Sequence, residues 1–123
     1  MYVYFNSNPT GSTVGDCSVR AVAKALGISW EQAFEKLAVN AFRMGDVISS
    51  NNVIASVLRM NGFYRENLPD AYPDHYTVRK FAEDNPVGTY VLGTGSHVVA
   101  VVDGRYFDTW DSGDEIPKYV WMR

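Results

Sequence analysis

The chain changes its hydrophobic period once, near Pro86, and that change limits the folds open to it. Before Pro86 apolar residues recur at helical spacing, whereas after it they form β-branched and aromatic runs cut by glycine turns. From Cys17 to Leu26 the sequence CSVRAVAKAL has helical composition, with Asp16 at the N-cap position and Gly27 just past the end. Ser29-Trp30-Glu31-Gln32 is a capping-box pattern. Trp30, Phe34, Leu37, Ala38, Ala41 and Phe42 follow on one helical face, which predicts a second helix to about Arg43. A third follows Ser49 and Ser50, with Val53, Ile54, Val57 and Leu58 on one side and Asn61-Gly62 closing it. Asp70 to Asp74 reads as a connector, and Thr77 caps a short helix carrying Val78, Phe81 and Ala82 that Pro86 ends.

The runs Tyr90 to Leu92, His97 to Val102, Arg105 to Trp110 and Lys118 to Met122 predict an antiparallel meander. Asp103-Gly104 between two of them is a two-residue hairpin signal, because both residues tolerate the positive φ of a type I′ turn. Tyr2 to Phe5 predicts a short strand and Asn6 to Gly15 a loop. Helices followed by strands, with no repeat or linker, predict one α+β domain over residues 1–123.

Composition narrows the function classes. With 46% hydrophobic residues and 14% aromatics the chain can offset the entropy of folding by burial. Eleven basic residues against fourteen acidic ones, without a Lys/Arg cluster, argue against a nucleic-acid partner. No apolar run reaches the ~18 residues of a membrane span, and MYVYFNSN lacks the features of a secretory signal, so a cytoplasmic protein is expected. Cys17 is the single cysteine, which excludes an internal disulfide and a thiolate zinc cluster.

A free cysteine usually serves as a small core hydrophobe. Helical phase argues otherwise for Cys17: Val19, Val22, Ala23 and Leu26 cluster on one side, and Cys17 lies opposite them beside Arg20, Ala21 and Lys24. It also sits in the first turn, where the helix dipole favours a thiolate. A nucleophilic thiol needs a base, and the base an orienting partner. Of the two histidines, His75 falls in the connector region, whereas His97 opens a strand behind Gly93-Thr94-Gly95-Ser96. An Asp103-Gly104 turn sets His97 opposite Trp110 and Val99 opposite Asp108, so Asp108 is the diagonal neighbour of His97 on the same face and Asp111 points away.

Gly15-Asp16-Cys17 opening a helix, His97 starting a late strand and Asp108-Thr109-Trp110 ending the next resemble the papain-like cysteine peptidases. GDCSVRAVAKALGISWEQAF with GTGSHVVAVVDGRYFDTWDSGDE is similar, more narrowly, to small papain-like proteins of bacteriophages, prophages and gut bacteria. The resemblance implies Cys17 as nucleophile, His97 as general base and then acid, Asp108 as the residue fixing the imidazole, and Trp110 as the cover of that contact. At 123 residues there is little room for a cofactor pocket or long substrate-binding insertions, so hydrolysis of a peptide or isopeptide bond in a peptide or protein substrate, with no cofactor and no metal, is the simplest expectation. The family's oxyanion glutamine has no counterpart, since Gly11 stands about six residues before Cys17 and Gln32 is a capping residue. The Cys17 N–H is one expected donor, with Asn8 preferred over Ser12 or Thr13 as the second.

The same triad would serve a peptidase, isopeptidase, amidase or acyltransferase. The alternative class is a non-enzymatic or degenerate phage-type binding protein acting on a host factor through Tyr64, Tyr72 and Tyr76. Zinc held by Cys17, His97 and Asp108 is a third reading that lacks a supporting motif. The acidic stretch with Asp103, Asp108, Asp111, Asp114 and Glu115 would favour a basic substrate if it is not simply a solvated turn.

Overall fold

The computed structural model describes residues 1–69 and 75–123. These residues form strand β1 (Tyr2–Tyr4), helices α1 (Cys17–Leu26), α2 (Trp30–Met44) and α3 (Asn51–Met60), strand β2 (Tyr64–Asn67), helix α4 (Val78–Asp84), and strands β3 (Thr89–Gly93), β4 (Val98–Val102), β5 (Arg105–Asp108) and β6 (Tyr119–Met122). The fold is α+β. The predicted connector from Asp70 to Asp74, with Tyr72, lies outside the described residues.

Local chemistry sets the helix ends. The Ser29 hydroxyl accepts from the Gln32 N–H at 3.1 Å while the Gln32 side chain accepts from the Ser29 N–H at 3.0 Å, which closes the capping box of α2. Ser50 and Thr77 cap α3 and α4 through their hydroxyls. Asp16 occupies the N-cap position of α1 but makes no side-chain capping bond, contrary to expectation. Its carboxylate is held by other partners described below.

The strands form one mixed sheet in the order β1-β5-β4-β3-β6-β2. Asp103 and Gly104 both have positive φ, 49° and 78°, and the β4–β5 hairpin carries the expected register, with Ala100 opposite Phe107 and Val102 opposite Arg105. Two features depart from a simple meander. After β5 the chain does not turn back beside it; β6 crosses the sheet to pair with β3, and β1 fills the place beside β5 in parallel. Gly93 is what admits β6. The Tyr119 ring lies where a side chain at position 93 would stand, so any Cβ there collides with it. Strand β2, Tyr64-Arg65-Glu66-Asn67, is exposed along its whole length and therefore lacks the alternation that marks a strand. It pairs with β6 at the sheet edge, and Arg65 lies 4.2 Å above the Tyr119 ring.

Helices α1, α2 and α3 pack on one face of the sheet, where Val22, Leu37, Val53 and Leu58 meet Val91, Val98 and Trp121. On the other face Val78, Phe81 and Ala82 of α4 pack on Leu92, Val99, Val101, Tyr106 and Val120. Each large side chain so buried contributes about 1.5–3 kcal/mol before ordering costs. The buried stripe of α2 is Ala33, Leu37, Asn40 and Ala41, and Phe42 is 88% exposed. The expected stripe is therefore too wide: the buried face of α2 is centred on Ala33 and Leu37, and Phe42 turns outwards.

Candidate active site

Helix α1 is buried almost all round. Val19, Val22 and Ala23 are buried, as are Ser18, Arg20, Ala21 and Ala25 on the side where Cys17 stands; the small Ala21 and Ala25 are expected to admit a second layer there, whereas the burial of Arg20 is not expected. The small alanines let α1 lie close to β4 and β5, and Cys17, half-buried at its first turn, stands at the sheet end where β4 begins and β5 finishes.

His97 precedes β4 by one residue. Thr94 pins it, since the His97 N–H donates to Thr94 Oγ1 at 3.1 Å and the Thr94 N–H donates to the His97 carbonyl at 2.9 Å. The imidazole Nε2 lies 2.6 Å from Asp108 Oδ2, and the ring is near enough to the Cys17 thiol for each to shift the other's protonation. With Nε2 committed to Asp108, Nδ1 is the nitrogen that serves the thiol. The Trp110 ring covers His97 at 5.1 Å between centroids and is itself 45% exposed. Cys17, His97, Asp108 and Trp110 are thus brought together.

Asp108 is wholly buried and uses both oxygens twice. Oδ2 meets His97 and accepts from Ser112 Oγ at 2.8 Å; Oδ1 accepts from the Thr109 N–H at 2.8 Å and from Arg20 Nη1 at 2.7 Å. Arg20 in turn donates through Nε to Asp16 Oδ1 at 2.8 Å, and Trp30 Nε1 donates to Asp16 Oδ2 at 2.9 Å. A continuous polar chain therefore runs from α2 through Trp30, Asp16, Arg20 and Asp108 to His97, next to Cys17. Asp16 and Arg20 are buried as well. Unpaired charges so placed would be costly, and here every one has a partner of opposite sign.

The electrostatics follow from these contacts. Burial pushes the Cys17 thiol up, but the hydrogen bonds from His97 and the Val98 backbone and the charges of His97 and Arg20 outweigh it and leave it below an ordinary thiol. Burial lowers His97, yet the bonds to Asp108 and Cys17 carry it up to about 9. Asp108 and Asp16 resist the upward push of burial because hydrogen bonds, led by His97 for Asp108 and by Arg20 for Asp16, hold them below the usual carboxylate range. The pair thus favours thiolate and imidazolium together.

The loop before α1 is held by its own side chains. Asn8 Oδ1 accepts from the Thr10 N–H and hydroxyl at 3.0 and 2.8 Å, and the Asn8 side chain is near enough to Asp16 to help lower its pKa. Thr13 is exposed on this loop, and the hydroxyls of Ser12 and Thr10 bond to each other at 2.7 Å. Gly11 is an exposed turn residue with φ of 72°. His75 is exposed. Among the described residues no group of three His, Cys, Asp or Glu side chains is arranged to hold a metal ion. The acidic stretch after β5 is neither a free anionic surface nor a solvated turn throughout: Arg79 of α4 pairs with Asp111 and Asp114, and Asp111 also accepts from Tyr106.

Arg20, Trp30 and Ser112 are the site residues that sequence reasoning missed. The Asp16 to Arg20 spacing of four was the available signal. That spacing alone does not announce burial, because arginine is rarely buried.

No protein-family model matches the chain, and no curated protein or solved structure shows significant similarity to it.

Proposed function

We propose that the protein is a thiol-dependent hydrolase that cleaves a peptide or isopeptide bond through Cys17, His97 and Asp108, on a papain-like arrangement of helix and sheet. The observation that carries this reading is a buried carboxylate–imidazole contact beside the thiol: Asp108 Oδ2 lies 2.6 Å from His97 Nε2, and that ring helps to hold the Cys17 thiol below its ordinary pKa. A structural cysteine needs neither partner.

In this mechanism the Cys17 thiolate attacks the substrate carbonyl carbon and its π electrons move to oxygen. The oxyanion meets the N–H groups of the first turn of α1, which the Asp16 side chain leaves uncapped. As the tetrahedral species collapses, the carbon–nitrogen bond breaks and the His97 imidazolium gives its proton to the leaving amine. Water then attacks the thioester, neutral His97 takes a proton from it, and the carbon–sulfur bond breaks to return thiolate and imidazolium. The acid product loses its remaining proton to solvent. Asp108 keeps the imidazole oriented throughout, and Trp110 shields that contact from water.

The test is labelling with electrophilic peptide and ubiquitin-like probes. The wild type is expected to be modified at Cys17, with labelling abolished in Cys17→Ala and slowed at least tenfold in His97→Gln; a folded wild type that no probe modifies overturns the reading.

A binding role has one observation in its favour, the exposure of Phe42 at 88% and Met60 at 71% on α2 and α3. The set Tyr64, Tyr72 and Tyr76 gives weaker support, because Tyr76 is half-buried and donates to Asp84 and Tyr72 lies outside the described residues. Biological effect retained in full by Cys17→Ala would favour binding over catalysis.

A further inference from the structure

We propose that Arg20 is a positioning residue for the nucleophile: its guanidinium, clamped between Asp16 and Asp108, is a fixed positive charge that stabilises the Cys17 thiolate and aims Asp108 at His97. This inference rests on the nucleophile reading above.

The geometry carries it. Arg20 follows Cys17 by three residues on α1, the spacing of neighbours about 5–6 Å apart on one helix face. Its side chain is 6% exposed, with Nε on Asp16 at 2.8 Å and Nη1 on Asp108 at 2.7 Å. A planar fork fixed at two points has little freedom to turn, and arginine does not lose its proton in proteins. Trp30 of α2 fixes the outer carboxylate through Asp16 Oδ2. The charges then alternate from Asp16 to Arg20, Asp108, His97 and Cys17.

Arg20 also decides how Asp108 is used. Its bond and that of the Thr109 N–H occupy Oδ1, so the carboxyl presents Oδ2 to His97. The titratable groups whose charge acts on Cys17, or on which its charge acts, are His97 before β4, Arg20 on its own helix and Tyr119 of β6. Those facing Arg20 are Asp16, Asp108 and, from β1, Tyr2. Lys24, one turn further along α1, is directed elsewhere, over the rings of Phe107 and Phe5 at 4.1 and 5.6 Å. The lowering of the thiol is consistent with this: after burial, which opposes it, and the contacts with His97 and Val98, the charge of Arg20 acts in the same direction.

The experiment is the rate of alkylation of Cys17 by neutral iodoacetamide across pH, in the full chain, for wild type, Arg20→Met, Arg20→Lys and Asp16→Asn. The acid limb in Arg20→Met is expected to move upwards, by about 0.5–2 pH units for a unit charge about 6 Å from the thiolate at an effective dielectric between about 20 and 80. Arg20→Lys keeps the charge and holds the limb near the wild-type position. Asp16→Asn removes an opposing anion and moves the limb down. A residue that only supports the fold would reduce rates without moving limbs in opposite directions. If Arg20→Met does not fold, Arg20→Gln, which keeps donors without the charge, takes its place with the same expectation. A wild-type limb at an ordinary thiol position overturns the nucleophile reading itself. A depressed wild-type limb that stays put in the uncharged variants, or moves equally in Arg20→Lys, overturns only the role of Arg20.

Discussion

Asp108 Oδ2 stands 2.6 Å from His97 Nε2 on a carboxyl group with no solvent exposure. Every lone-pair direction of that carboxyl has a donor, from His97, Ser112, Arg20 and the Thr109 N–H. Asp108→Asn therefore removes the negative charge that faces both His97 and Arg20, and leaves the buried Arg20 guanidinium with Asp16 as its one anionic partner among these contacts. Breaking a buried pair in this way costs about 3–5 kcal/mol, measurable as a fall in urea-unfolding stability. His97 should also lose its upward displacement, so its proton titration by NMR moves down from about 9. An Asp108→Asn protein with wild-type stability and an unmoved His97 would show that the carboxylate orients nothing.

Cys17→Ala separates a reactive thiol from a core one. Cys17 is half-buried and touches the edge of the α1–α3 cluster rather than filling it. The change is expected to cost less than about 1 kcal/mol, as for positions outside the well-packed interior. Chemical denaturation of the two proteins side by side measures it. A cost of about 2 kcal/mol or more, the scale of a large-to-small core truncation, would return Cys17 to the role of a packing residue.

The helical half and the β4–β5 hairpin were readable because their signals are local. Ser29 and Gln32 close a cap four residues long, and Asp103-Gly104 fixes a register that carries Asp108 to His97 by parity alone. What could not be read depends on contacts distant in sequence. Nothing near Tyr2 announces a parallel partner around Tyr106, and nothing in Tyr64 to Asn67 announces pairing with β6. Arg20 is the sharpest case. Its burial needs Asp16 one turn away and Asp108 eighty-eight residues away at once, and a helix read alone shows only a charged residue on its polar side.

The His97–Asp108 pair should leave a pH signature in stability. The folded pKa of His97 is raised from 6.5 to about 9, so its contribution is complete below the unfolded value near 6.5 and is lost as pH rises towards the folded one. Asp108 and Asp16 are lowered, so their contributions are present above the ordinary carboxylate value and are lost in acid. The Cys17→Ala background removes the thiolate's own titration from the balance. In that background the stability difference between proteins with His97 and with His97→Gln is expected to be largest near pH 6 and to shrink steadily above it. A difference that grows from pH 6 towards 9 would mean that His97 is held neutral in the folded protein.

Helix α2 offers a test of phase that is independent of the site. The sequence placed Leu37 and Phe42 on one apolar face, whereas the fold leaves Leu37 without exposure and Phe42 88% exposed. Leu37→Ala should then open a cavity among Ala33, Val53 and their neighbours, at a cost of about 2–5 kcal/mol. Phe42→Ser, which removes the larger side chain, should change stability by no more than about 0.5 kcal/mol, since an exposed ring has little burial to lose. The order of the two effects is opposite to the order of side-chain size, and only the rotation of α2 explains that. Thermal unfolding of both variants measures it. If Phe42→Ser proves the more damaging, Phe42 is covered in solution and the phase of α2 described here is wrong.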